Sequence, residues 1–280
     1  MSGFPGAAGP VGIFDSGVGG LSVLQEIRGR LPNERLLYVA DCGFAPYGER
    51  SVGYVQQRSR AISEFLLAQG AKAIVVACNT ATAAVVPVLR QRIVAPIVAI
   101  EPAVKPAAAR SRSGVIGVLA TRRTLESERF ARLVSAHAAG VEVVTEACPE
   151  LVALVERGIT SGPEARAQVE PRVHALLARR ADAIVLGCTH FHFLRSTVEA
   201  IAGEGVSVID PGIPVAVELA RRLKAAGLAR DGTPGADVRL WTSGDLGDMA
   251  RLVTALLGER YAITALPAEF CVPPSESESL

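Results

Sequence analysis

Short apolar, β-branched runs recur along the chain with longer amphipathic stretches between them. The runs are VGIF (11–14), RLLYVA (35–40), AIVVA (73–77), IVAI (97–100), VIGVL (115–119), VEVV (141–144), AIVLG (183–187), VSVI (206–209) and VRLW (238–241). The intervening stretches, such as LSVLQEIRGRL, VGYVQQRSRAISEFLLAQG, EARAQVEPRVHALLARR and PVAVELARRLKAAG, carry helical periodicity. Strands that alternate with helices predict an α/β fold built on open, mainly parallel sheets flanked by helices.

A duplication organises this pattern. AKAIVVACNT (71–80) aligns without a gap on ADAIVLGCTH (181–190), each followed by a helical stretch, a β-branched strand and a proline, Pro102 or Pro211. VGIFDSG (11–17) answers IGVLATR (116–122) in the same way. Two pseudo-symmetric lobes are expected: lobe A over 11–100, lobe B over 101–210, and a return to lobe A over 211–267. The ends, 1–10 and 268–280, are expected to be flexible tails. Ligands of open α/β sheets bind beyond the carboxyl ends of the strands, and clefts between lobes are favoured sites, so the active site is expected in the cleft between the lobes, with Cys78 and Cys188 opposed.

Composition narrows the partner. Lys+Arg at 29 against Asp+Glu at 28 leave a formal charge of +1, which gives no electrostatic reason for a nucleic-acid or membrane partner and points to a small molecule. No stretch reaches the roughly 18 apolar residues of a membrane span, and the N-terminus lacks a basic, then apolar, signal pattern, so a soluble cytoplasmic protein is expected. The cysteines, Cys42, Cys78, Cys148, Cys188 and Cys271, are odd in number and widely spaced, which argues against a disulfide scaffold. Lysine occurs only at 72, 105 and 224, none in a recognisable Schiff-base or phosphate-binding setting.

Cys78 and Cys188 each follow a buried-looking strand and precede a helix, whose terminal amides are expected to favour the thiolate and lower the thiol pKa to a usable range. The plain alternative is a small apolar core residue, weakened here by the duplication and by the polar Asn79-Thr80 and Thr189-His190 that follow. FDSGVGG (14–20) sets Asp15 and Ser16 at a strand end before glycines that let amides approach a ligand, or else forms an ordinary capped turn. DCGFAPYG (41–48) reads as a loop with Tyr47 and Gly48. Glu156 reads on its own as a solvated helical charge. Cys188, His190 and His192 resemble part of a metal site, but no second cluster stands at ligand spacing, so no metal is expected.

Together VGIFDSGVGGLSV, DCGFAPYG, VVACNTAT, AIEPAV, GVLATRRTLES and VLGCTHF resemble the successive motifs of bacterial glutamate racemases, in order from about Val11 to Asp210. The resemblance implies an isomerase that interconverts L- and D-glutamate without pyridoxal phosphate, metal or other cofactor, supplies D-glutamate for peptidoglycan and so for cell-wall biogenesis and cell shape, and forms a homodimer. It implies that Cys78 and Cys188 are the catalytic pair, with Asp15 assisting the first and Glu156 and His190 the second. It further implies substrate contacts from Asp15, Ser16, Tyr47, Gly48, Asn79, Thr80, Thr121, Thr189 and His190. The chain departs from the pattern at Phe191-His192-Phe193, where a proline usually follows the aromatic residue, and at Arg129-Phe130. A sibling racemase acting on aspartate or a hydantoin, or a non-catalytic binding protein on the same fold, are the alternatives.

Overall fold

The apolar runs become parallel strands, with those at Val11–Asp15, Leu36–Ala40, Ala73–Val76 and Ala183–Leu186 buried along their whole length, and the amphipathic stretches become the helices that return the chain to start each next strand. The computed structural model describes residues 6–232 and 237–274. The chain divides into two compact units: one holds the chain up to Ile100 and again from Gly212, the other holds Glu101–Pro211.

The first unit runs β1 (Val11–Asp15), α1 (Leu21–Arg30), β2 (Leu36–Ala40), α2 (Val52–Ala68), β3 (Ala73–Val76), α3 (Asn79–Arg92) and β4 (Ile97–Ala99). The second unit contributes α4 (Val104–Arg110), β5 (Val115–Ala120), α5 (Arg122–Leu125), α6 (Glu128–His137), β6 (Glu142–Ala147), α7 (Pro149–Glu156), α8 (Gly162–Ala178), β7 (Ala183–Leu186), α9 (Arg195–Ala202) and β8 (Ser207–Ile209). The chain then re-enters the first unit as α10 (Gly212–Ala225), β9 (Val238–Thr242), α11 (Leu246–Leu257) and β10 (Ile263–Ala265). The first sheet is ordered β10-β9-β2-β1-β3-β4 and the second β6-β5-β7-β8. All their pairings are parallel.

The duplicated segments occupy matching places. Each sheet contains the same four-strand run, β2-β1-β3-β4 or β6-β5-β7-β8, and the cysteine motifs follow β3 and β7. The match extends to packing. A side chain on Gly12 of β1 would meet Leu66 of α2, and one on Gly117 of β5 would meet Leu176 of α8. In both units a glycine in the first strand lets the helix before the third strand lie close.

Registers bring the chemistry-bearing strand ends level. In the first sheet Asp15 pairs with Ala40 of β2, and Phe14 with Val76 of β3. In the second, Leu119 pairs with Leu186, and Ala120 with Ala147.

Parts of the expected tails are tied down. Lys72 Nζ donates to the Ala7 carbonyl at 2.7 Å, and Arg58 Nη1 donates to the carbonyls of Phe270 and Val272. The remainder of those tails, 1–5 and 275–280, lies outside the described residues. No helix among the described residues is long and apolar enough to cross a membrane.

Candidate active site

Two clusters of polar side chains form at strand ends, one in each unit. In the first unit, adjacent strands β1 and β3 deliver Asp15-Ser16 and Cys78-Asn79-Thr80. All five side chains are buried. The Asp15 carboxylate is oriented by its own turn: Oδ1 accepts from the Ser16 amide at 2.7 Å, and Oδ2 from the Gly20 amide at 2.5 Å. Gly20 is needed there because a Cβ would come 2.7 Å from the Cβ of Asp15 and 2.9 Å from the Tyr38 hydroxyl. This glycine amide was expected to approach a ligand; it is spent on Asp15 instead.

Cys78 is the N-cap of α3, its Sγ accepting from the Ala81 amide at 3.4 Å and lying 3.7 Å from Ser16 Oγ. Sulfur thus takes a place usually filled by Ser, Thr, Asp or Asn. The expected lowering of its pKa is not what the environment gives. Burial pushes the Cys78 thiol well up and the neighbouring Asp15 charge adds to the rise, while the Ala81 amide and Ser16 oppose it without prevailing. One capping amide does not offset desolvation and a carboxylate together.

Asn79 carries the other informative observation. Its side-chain oxygen and nitrogen are both buried with no hydrogen-bond partner in the structure. Buried amides are nearly always paired, so an orphan of this kind marks a place prepared for a polar group from outside the chain.

Tyr47 and Gly48 lie in a single 3-10 turn, Tyr47–Glu49, after β2, and the preceding Cys42–Phe44 forms another. Tyr47 is fully buried and its hydroxyl donates to Asp41 Oδ2 at 2.5 Å. Burial first, then the Asp41 charge, raise its pKa well above the usual phenol value, so the hydroxyl stays a donor. Contact between Tyr47 and a substrate therefore falls to the backbone or the ring.

In the second unit, β5 is followed by Thr121 and its neighbour β7 leads into Cys188. Thr121 caps α5, accepting from the Thr124 amide at 3.3 Å. Cys188 differs from Cys78: it is followed by the 3-10 segment Thr189–Leu194 and makes no side-chain cap bond, and α9 begins only at Arg195. An α-helical N-terminus directly after this thiol was expected; burial of His190, Phe191 and Leu194 on a tighter three-residue repeat takes its place. In compensation, Cys188 Sγ lies 3.7 Å from His190 Nδ1, and His190 Nε2 lies 2.6 Å from Glu156 Oε1 at the end of α7. Burial alone would lower the His190 pKa, but the hydrogen bonds to Cys188 and Glu156 outweigh it and raise it well above the ordinary value. Glu156 is thereby a partner of buried His190 rather than a solvated helical charge.

His192 turns to a different acid, Asp210, at 2.8 Å. Among the described residues no group of three or more His, Cys, Asp or Glu side chains is arranged to hold a metal ion. Gly20, Asp41 and Arg58 were missed by sequence reasoning. The glycine was visible inside FDSGVGG and Asp41 inside DCGFAPYG, but nothing local marks Arg58.

A buried thiol against a carboxylate, and a buried thiol against an imidazole and carboxylate, are arrangements chemically able to exchange protons. Residues 21–220 match the Asp/Glu/Hydantoin racemase family. A glutamate racemase of Ectopseudomonas mendocina is 52% identical over 255 residues, covering 91% of this chain and 97% of the relative. The crystal structure of a glutamate racemase from Bacillus anthracis superposes with a TM-score of 0.86 at 32% identity, covering 92% of this chain and 97% of that one. That of Escherichia coli glutamate racemase, in complex with L-glutamate and the activator UDP-MurNAc-Ala, superposes at 0.81 with 30% identity, covering 91% and 97%. The chain belongs to the aspartate/glutamate/hydantoin racemase family and is an isomerase.

Proposed function

We propose that this isomerase interconverts L- and D-glutamate by a two-base mechanism in which Cys78 and Cys188 act on opposite faces of the substrate Cα, with no cofactor or metal. Inverting a stereocentre needs one group to take the α-proton and another to return a proton to the other face. Two thiols in opposite protonation states meet that need. The observation that carries the reading is that each duplicated strand-end thiol has its own proton-tuning neighbours, Asp15 with Ser16 for Cys78 and His190 with Glu156 for Cys188.

Burial and Asp15 hold Cys78 protonated at neutral pH. The resemblance to the family makes Cys78 the proton donor when L-glutamate is the substrate, with Cys188 the acceptor. Loss of the α-proton builds charge on the carboxylate. The unpaired Asn79 amide supplies a fixed dipole for it, with Ser16, Thr80, Thr121, Thr189, the Tyr47–Gly48 turn, and the charges of Asp15 and His190 as the remaining contacts to substrate. The glutamate-bound relative supports this choice of substrate. The same reading makes the protein a cytoplasmic homodimer that supplies D-glutamate for peptidoglycan synthesis.

The test is to follow optical rotation of L-glutamate with purified protein, EDTA present and pyridoxal phosphate absent. Racemisation that thiol alkylation abolishes is expected. Racemisation of aspartate or a hydantoin in place of glutamate would move the substrate assignment, and loss of activity on chelation, restored by zinc, would overturn the metal-free mechanism.

A further inference from the structure

Asp41, at the end of β2, is fully buried and collects donors from across the first unit. Its Oδ1 accepts from Arg58 Nη2 at 2.8 Å and Ser243 Oγ at 2.7 Å. Its Oδ2 accepts from Arg58 Nε at 3.0 Å and from the Tyr47 hydroxyl. Arg58, on α2, is almost fully buried as well. Its remaining nitrogen, Nη1, donates to the carbonyls of Phe270 at 2.8 Å and Val272 at 3.1 Å, and the guanidinium lies 3.6 Å from the centroid of the Phe44 ring.

A buried ion pair is weak evidence for stability, because desolvating both charges offsets their attraction. What a bidentate guanidinium–carboxylate pair provides is direction: it holds both planes in one relative orientation. Here the oriented carboxylate receives Tyr47, which packs in the same apolar cluster as Cys78, and the cation stacks on Phe44 in the turn just before Tyr47. The 3-10 turns at 42–44 and 47–49 are thus fastened at both ends to one charge pair, itself anchored by residues 270–272.

We propose that Arg58 is a positioning residue for substrate binding: by orienting Asp41 it fixes Tyr47 and the Tyr47–Gly48 turn beside Cys78, with residues 270–272 as the brace behind it. The inference rests on the racemase reading above, which wild-type racemisation of glutamate tests independently of any variant.

The experiment is steady-state kinetics with both glutamate enantiomers on Arg58→Lys, Tyr47→Phe and the double variant, below the melting temperature of each. Lysine keeps the charge and loses the fork. The expected result for Arg58→Lys is a rise in KM for both enantiomers of about tenfold, with a smaller change in kcat. Tyr47→Phe should shift KM in the same direction, and the double variant should fall well short of the product of the two factors, since both act through Asp41. A lowered melting temperature with unchanged KM, or factors that multiply, would overturn the proposal. Should Arg58→Lys fail to fold, Ser243→Ala combined with Tyr47→Phe carries the same test, each removing one donor from Asp41, and multiplying factors overturn it there too.

Discussion

Glu156 Oε1 lies 2.6 Å from His190 Nε2, while the other ring nitrogen of His190 lies 3.7 Å from Cys188 Sγ. Glu156 therefore reaches the thiol only through the imidazole, which it helps to hold protonated against the opposing effect of burial. Glu156→Gln removes one of the contacts that raise the His190 pKa, so that pKa falls, readable by NMR titration of the ring. His190→Asn removes the imidazole that links Glu156 to the Cys188 thiol and should lower kcat by roughly 100-fold or more with a smaller change in KM. A change confined to KM would make both residues binding groups.

The two thiols should separate in half-reactions. With Cys188→Ala, net racemisation stops in both directions while Cys78 still exchanges the α-proton of D-glutamate with solvent deuterium; Cys78→Ala does the same with L-glutamate. Because the Cys78 pKa is raised, exchange by Cys188→Ala should climb as pH rises into the alkaline range. Adding Asp15→Asn removes a negative neighbour, stabilises the thiolate, and should move that climb to lower pH. NMR of Cα deuteration measures all three. Near wild-type racemisation by either single cysteine variant would defeat the two-thiol mechanism.

Gly20 is a steric requirement with a catalytic consequence. Its backbone lies in the ordinary right-handed region, φ −65°, so alanine causes no backbone strain, but its Cβ would displace Asp15. Gly20→Ala should lower kcat and shift the Cys78 titration in the same direction as Asp15→Asn. An active variant with an unmoved thiol titration, followed by thiolate ultraviolet absorbance, would show that Asp15 tolerates the displacement.

Asn79 should trade stability for function. Its unpaired amide costs about 1–3 kcal/mol in the free protein, and Asn79→Ala removes that penalty while leaving a small cavity. The expected outcome is a melting temperature equal to or above that of the wild type together with a raised KM for glutamate. A clear loss of stability would mean that the amide is satisfied in the free enzyme.

The sequence by itself determined the strand and helix succession, the two four-strand repeats and the cysteine that follows the third strand of each. These are written in local periodicity and in a gapless duplication, which need no knowledge of what packs against what. Only the tertiary structure decided how those groups behave. Cys78 is a raised-pKa thiol because β3 lies beside β1, which brings Asp15 to it from more than sixty residues away, and because the sheet desolvates both. The Tyr47 hydroxyl is committed to Asp41, which Arg58 on α2 and Ser243 after β9 also bind. Glu156 reads as a surface charge until α7 carries it to His190. Desolvation and charge proximity depend on three-dimensional neighbours, and a chain's local pattern specifies its elements without specifying which of them meet.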